Sequence, residues 1–220
     1  MTPTITEYLS DIQHALSRVD PDDIDAIVSR LFLAYADGQT VYTCGNGASA
    51  ALASHMACDL GKGTAVDLGG GPEAQPARRL RIHSLSDNVA LLTAYSNDLD
   101  YQDVFVEQLK NLLHPDDVVI GISGSGGSPN VLRAMTYARN IGATTIGFTG
   151  SQASASKLIE LSDFRLQVSS LLMEQIEDLH VIVHHIIGLR LRAKIAAHTL
   201  TISGVQLISQ AEPVYAKSAD

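Results

Sequence analysis

The sequence predicts an α/β protein: a three-layer αβα sandwich around a five-stranded parallel sheet, with extra N-terminal helices and a long C-terminal helix. Three observations carry this expectation. β-rich apolar segments alternate with segments of helical period, which is the mark of βαβ units and of a sheet covered on both faces. Two of those segments run straight into glycine–serine turns that open helices. Hydrophobic residues make up 45% of the 220 and charged residues 18%, the balance of a chain that folds around a core.

At the N-terminus Ile5, Leu9, Ile12 and Leu16 recur at helical spacing. Asp22 is a candidate cap for a second helix, with Ile24, Ile27, Leu31, Phe32 and Tyr35 apolar and Gly38 as its stop. Strands are expected at 40–44, 80–84, 117–123, 144–148 and 164–168. Helices are expected near 48–60, 88–113, 129–140 and 153–161, followed by a long apolar helix over 172–197. Residues 61–77 carry Gly69, Gly70, Gly71, Pro72 and Pro76, so they read as a long loop that could close over a site. The 201–220 tail receives no assignment. With no repeat, linker or low-complexity tract, the expectation is one domain over 1–220, its helical leader in 1–37 and its α/β core in 38–200.

A formal net charge of −9 argues against a nucleic-acid partner, which needs a basic stripe to displace counterions. No apolar run reaches membrane-spanning length, and the first residues lack the basic and apolar regions of a signal peptide. A soluble, cytoplasmic protein with no membrane partner is therefore expected. Cys44 and Cys58 show neither metal-ligand spacing nor a disulfide framework. An acidic chain whose ligand is an anion has to hold it by local groups.

The two glycine–serine turns suit that task. The first is Gly45, Asn46, Gly47, Ala48 and Ser49; the second is Ser123, Gly124, Ser125, Gly126, Gly127 and Ser128, then Pro129 and Asn130. Both follow strands, at the edge where open α/β sheets bind ligands. Pro129 suits the first helical position and Ser128 the cap. Glycines let backbone N–H groups turn toward an anion at a helix start, and three hydroxyls add neutral donors. The plain alternative is a pair of tight βα turns. No Lys-Ser/Thr follows either cluster and the third glycine of a dinucleotide fingerprint is absent, so no nucleotide cofactor is expected.

The ionisable groups form a second set. His55 and Asp59 are four apart and fall roughly 40° apart on a helix. The last helix carries Glu174, Glu177, Asp178, His180, His184 and His185 in an apolar run. Glu177, His180 and His184 align to within roughly 60°, with His185 about 80° to the other side. Histidine and carboxylate on two helices make either a His₂-carboxylate metal site or the acid and base of a proton transfer, and spacing does not separate the two. Single histidines in such a helix also serve as satisfied core groups. Asn97 and Asp98 form a further polar pair, whose plain reading is the cap of a following helix.

Taken together, the first turn, the Ser96-Asn97-Asp98 segment and the Gly121 to Val131 serine loop resemble the sugar isomerase (SIS) family, most closely its phosphoheptose isomerase branch. The resemblance covers nearly the whole chain. It implies a flavodoxin-like fold and interconversion of sedoheptulose 7-phosphate and a mannoheptose 7-phosphate through an enediol. It implies that Ser123, Gly124, Ser125 and Ser128 bind the phosphate and that Asn46, Gly47, Ser49, Asn97, Asp98, Glu174 and Glu177 line the substrate site. It further implies Asp59 as base, His185 as acid, and a zinc ion on His55, Asp59, Glu177 and His185. A homotetramer with sites at subunit boundaries is implied as well; apolar Val181, Ile182, Val183, Ile186, Ile187 and Leu189 suit that expectation.

Three positions depart from the family pattern. Asp59 stands where Glu is usual, Glu177 where Gln is usual, and Gly124 where Thr is usual. A more anionic site favours a divalent metal, and a base one methylene shorter shifts the reacting carbon by about 1 Å. A different anionic ketose is one alternative substrate. The rival from another class is a non-catalytic scaffold like the DnaA initiator-associating protein of the same family. Retention of His55, Asp59, Glu177 and His185 favours the enzyme.

Overall fold

A computed structural model of the chain describes residues 2–65 and 78–203. Two helices lead, α1 (Ile5–Leu16) and α2 (Pro21–Asp37). Thr4 and Glu7 form a reciprocal capping box on α1. On α2 the cap is Asp20 and not Asp22: its carboxylate accepts the Asp22 N–H, and Pro21 fills the first helical position. Gly38 ends α2 in the left-handed conformation, as expected.

The core alternates from there: β1 (Thr40–Gly45), α3 (Ala48–Gly63), β2 (Arg81–Ser84), α4 (Val89–Asp98), α5 (Val106–Leu112), β3 (Val118–Ile122), α6 (Pro129–Asn140), β4 (Thr144–Thr149), α7 (Ala155–Glu160), β5 (Phe164–Gln167) and α8 (Met173–Ser203). All four strand pairings are parallel, in the order β2-β1-β3-β4-β5. This is the flavodoxin-like order, whose topological switch lies between β1 and β3.

Two apolar cores cover the sheet. One joins α2, α3 and α8 through residues such as Leu31, Met56, Ile120 and Val183. The other joins α5 and α6 through residues such as Phe105, Leu109, Val119 and Met135. Each burial removes apolar surface that a single sheet face would leave wet.

Three further expectations change. The helix expected near 88–113 is broken into α4, a 3₁₀ turn (Tyr101–Asp103) and α5. The Asp100 carboxylate accepts the Gln102 N–H and starts the 3₁₀ turn, a side-chain bond that competes with a continuing helix. The loop expected over 61–77 begins later, because Gly61 and Gly63 belong to the end of α3; its glycine-rich part, 66–77, lies outside the described residues. The last helix runs on to Ser203, and 204–220 lie outside the described residues.

Candidate active site

The turns after β1 and β3 stand side by side at the switch point. Gly47 opens α3 with φ +56, and Ser49 is buried in its first turn. In the serine loop, Gly126 has φ +68, and a Cβ there would meet the Ala155 Cα at 2.4 Å, so the chain path demands glycine. Ser128 occupies the backbone position of the α6 cap, but its side chain makes no cap bond. Instead its Oγ accepts from Ser123 Oγ at 3.0 Å. Ser125 Oγ accepts the Gly127 N–H at 3.2 Å, and Ser154 donates to the Ser125 carbonyl at 2.6 Å. Gly124 packs under α8: an added Cβ would lie 2.4 Å from the Met173 Sδ. Glycine at that position makes room for Met173.

Asn97 and Asp98 close the end of α4, exposed and paired with each other at 2.8 Å. They cap no following helix, since that task falls to Asp100. Tyr101 reaches from the next turn to Asn46 at 2.9 Å, so this end of α4 lies beside the first loop.

The ionisable residues converge at one point. Asp59 Oδ2 lies 3.1 Å from His55 Nε2, 3.3 Å from His184 Nε2 and 3.8 Å from His185 Nε2. The three rings gather around it, edge-on or tilted to one another, with centroids 4.8–5.0 Å apart. His184 is fully buried while His185 is half exposed. Both histidines thus reach Asp59, although one helix residue separates their directions by about 100°. His184, which shares a helical face with Glu177 and His180, thus joins His185 at Asp59. Burial, with His55 next in effect, pulls His184 down to about 4, so its ring is neutral near pH 7. Its Nδ1 has no partner among the described residues.

Glu177 stands apart from this cluster. With Ser49, His55, Asp178 and His180 it lines a neighbouring cavity of about 310 Å³ between the first loop and α8. Burial raises its pKa, and Glu174 and Asp178 add to the shift. Glu174 is exposed in the first turn of α8. Tyr8 of α1 donates to Asp178 at 2.5 Å and ties the leader helix to this wall. His180, nearly fully buried, reaches the Thr149 carbonyl at 3.3 Å.

One ligand atom from each of His55, Asp59, His184 and His185 lies within 4.8 Å of the others. Ligands about 2.0–2.1 Å from a tetrahedral zinc are about 3.3 Å apart, which the two shorter Asp59 contacts match. The donor set of imidazoles and a carboxylate fits a borderline divalent ion. His55, Asp59, His184 and His185 are the groups brought together here, while Glu177, expected with them, lines the adjoining cavity that His55 also lines.

Comparison with known proteins identifies the family. The family model for the SIS domain matches residues 6–150. The chain belongs to the SIS domain family. Phosphoheptose isomerase of Crocosphaera subtropica is 36% identical over 178 residues, covering 78% of this chain and 80% of the relative. The Mycobacterium tuberculosis phosphoheptose isomerase is 38% identical over 163 residues, 74% and 78% of the two chains. Among solved structures, the Francisella tularensis phosphoheptose isomerase superposes with a TM-score of 0.74 at 25% identity, over 86% of this chain and 96% of that one. The Neisseria gonorrhoeae phosphoheptose isomerase gives 0.75 at 22% identity, over 86% and 97%, a likeness of fold. Among the described residues of this SIS protein no helix is long and apolar enough to cross a membrane.

Proposed function

We propose that this SIS protein is a phosphoheptose isomerase that converts sedoheptulose 7-phosphate to D-glycero-D-manno-heptose 7-phosphate through an enediol. The observation that carries this reading is Asp59, a half-exposed carboxylate ringed by three imidazoles on the helix that follows the first glycine turn. Aldose–ketose isomerisation needs a base at the C1–C2 edge and an acid at the oxygens. The names and coverage of the relatives support the substrate class.

In this mechanism the serine loop holds the phosphate. Ser123, Ser125 and Ser128 offer hydroxyls, and backbone N–H groups at Gly47 and Gly124 add to them; Ser49 contributes its hydroxyl, since its N–H is held by the Asn46 carbonyl at 3.0 Å. Asn46, Asn97, Asp98, Glu174 and Glu177 bind the sugar. Asp59 removes a proton from C1 of the open-chain ketose, and the electrons pass into the C2 carbonyl to give an enediolate. His185, the solvent-facing imidazole, protonates O2 and takes the O1 proton. Asp59 then returns its proton to C2, which completes the aldose. His184, neutral and buried, holds the Asp59 carboxylate in place.

His55, Asp59, His184 and His185 would hold a zinc ion, one per subunit. When bound it supplies Lewis-acid polarisation of a substrate oxygen. The reading treats 1–220 as one SIS domain of a cytoplasmic homotetramer with sites at subunit boundaries. Exposed Ile5, Leu9, Val89 and Leu189, and an α4 that buries none of its residues, support subunit contacts.

The decisive experiment follows the C1 and C2 protons of sedoheptulose 7-phosphate in deuterated water by NMR, beside metal analysis. Enzyme-dependent exchange with conversion to the aldose is expected. No exchange with any sugar phosphate tried, together with an empty metal analysis, overturns the reading.

A further inference from the structure

Asn130, only 2% exposed, opens α6 behind the serine loop. Its Oδ1 accepts the backbone N–H of Val131 at 3.0 Å. A backbone N–H only donates, so this contact settles which end of the Asn130 amide is oxygen. The same Oδ1 also accepts Asn46 Nδ2 at 2.8 Å, which makes the facing end of Asn46 its nitrogen. Asn46 Oδ1 then receives two donors, Asn130 Nδ2 at 2.8 Å and the Tyr101 hydroxyl at 2.9 Å. The Asn46 carbonyl is filled, while one of its two N–H groups has no partner among the described residues. Orientation thus passes from one backbone N–H through a buried amide, across the gap between β1 and β3, to the first loop.

We propose that Asn130, braced by Tyr101, is a positioning residue for Asn46: it locks that amide so that an N–H faces the ligand held between the two loops. The ligand atom it meets is an electron-rich oxygen. In the isomerase reading, on which this rests, that atom is an oxygen of the open-chain sugar phosphate, whose charge grows in the enediolate. A donor fixed in advance needs no reorientation as that charge develops. A freely turning amide would present its carbonyl part of the time and repel the same oxygen.

The test is a double-mutant cycle, read in turnover of sedoheptulose 7-phosphate and in its binding by calorimetry. Asn130→Asp keeps the acceptor for Val131 and Asn46 but supplies no donor to Asn46 Oδ1, so Asn46 is free to turn. A fall in kcat/KM of about 10-fold is expected, the size of one lost hydrogen bond. Tyr101→Phe, on an exposed side chain, is expected to cost about 3-fold and serves if Asn130→Asp does not fold. In an Asn46→Ala background both losses should shrink below about 2-fold, because a positioning residue has nothing left to position. Full losses in that background, or none in the natural one, overturn the proposal. A chain that binds the sugar phosphate without turning it over fails the isomerase reading, and the binding cycle still judges the lock. A chain that does neither is judged by thermal unfolding: less-than-additive shifts for Asn46→Ala and Asn130→Asp support the lock, and additive shifts overturn it.

Discussion

In the serine loop each hydroxyl already has a partner: Ser123 donates to Ser128, and Ser125 takes the Gly127 N–H. Around Asp59 three imidazoles aim at one carboxylate oxygen, and His184 Nδ1 has no partner among the described residues. The loop is shaped by its backbone path and contains no group that titrates near neutral pH. The cluster is shaped by side chains from α3 and α8, and its chemistry depends on who holds the proton. A fold can therefore pre-build a binding loop from glycine geometry while it leaves the reacting groups to respond to pH, metal and substrate.

The largest expected effect tests whether the cluster alone is reactive. Asp59→Asn keeps the shape but removes the base, and turnover should fall by about 10³-fold while inorganic phosphate still binds the loop. Equal loss of phosphate binding in calorimetry would merge the two regions into one. Next comes the backbone of the loop. Gly126→Ala combines a left-handed φ with a Cβ 2.4 Å from Ala155, so urea unfolding should report a loss of about 3 kcal/mol. Gly47→Ala, with φ +56 but open space around it, should cost less.

A third effect lies between the regions. Burial drives His180 from 6.5 down to about 4, so the unfolded chain binds more protons than the folded one between those values. Stability from neutral His180 is complete above pH 6.5 and drains away as the pH falls toward 4, by about 3 kcal/mol. His184 shifts in the same direction. A His180→Gln variant should therefore lose only part of the acid sensitivity seen in pH-dependent unfolding, and an unchanged profile would assign all of it elsewhere. The smallest effect sharpens the contrast from the loop side. Ser128→Ala, which removes a hydroxyl that only accepts from Ser123 within the loop, should weaken phosphate binding about 10-fold, the size of one hydrogen bond, with kcat nearly unchanged.

The five strands were legible because apolar, β-rich runs end at glycine or polar turns, and the parallel order follows from the helices between them. The break within 88–113 was not. Leu91, Leu92, Leu99, Val104, Phe105 and Leu109 keep an apolar pattern throughout, with no glycine or proline to stop it; a carboxylate at Asp100 does the stopping. Likewise Pro21 was the better sign of the α2 start than the acidic residues after it. In the site, His55 and Asp59 were legible from their i,i+4 spacing. His184 against His185 depended on the phase of a long helix, which sequence fixes poorly. Glu177, expected with the metal set, lines the cavity it shares with His55. The Asn46–Asn130 pair, 84 residues apart, leaves no local pattern at all and exists because β1 and β3 are neighbours.

The serine loop carries no charge of its own, and the chain around it has a net charge of −9. An approaching phosphate ester therefore meets repulsion at long range and attraction only at contact. Added salt then helps: it screens the distant repulsion within about 10 Å at 0.1 M and leaves the short hydroxyl and N–H contacts intact. Capture should quicken with ionic strength, the reverse of what a lysine- or arginine-lined phosphate site does.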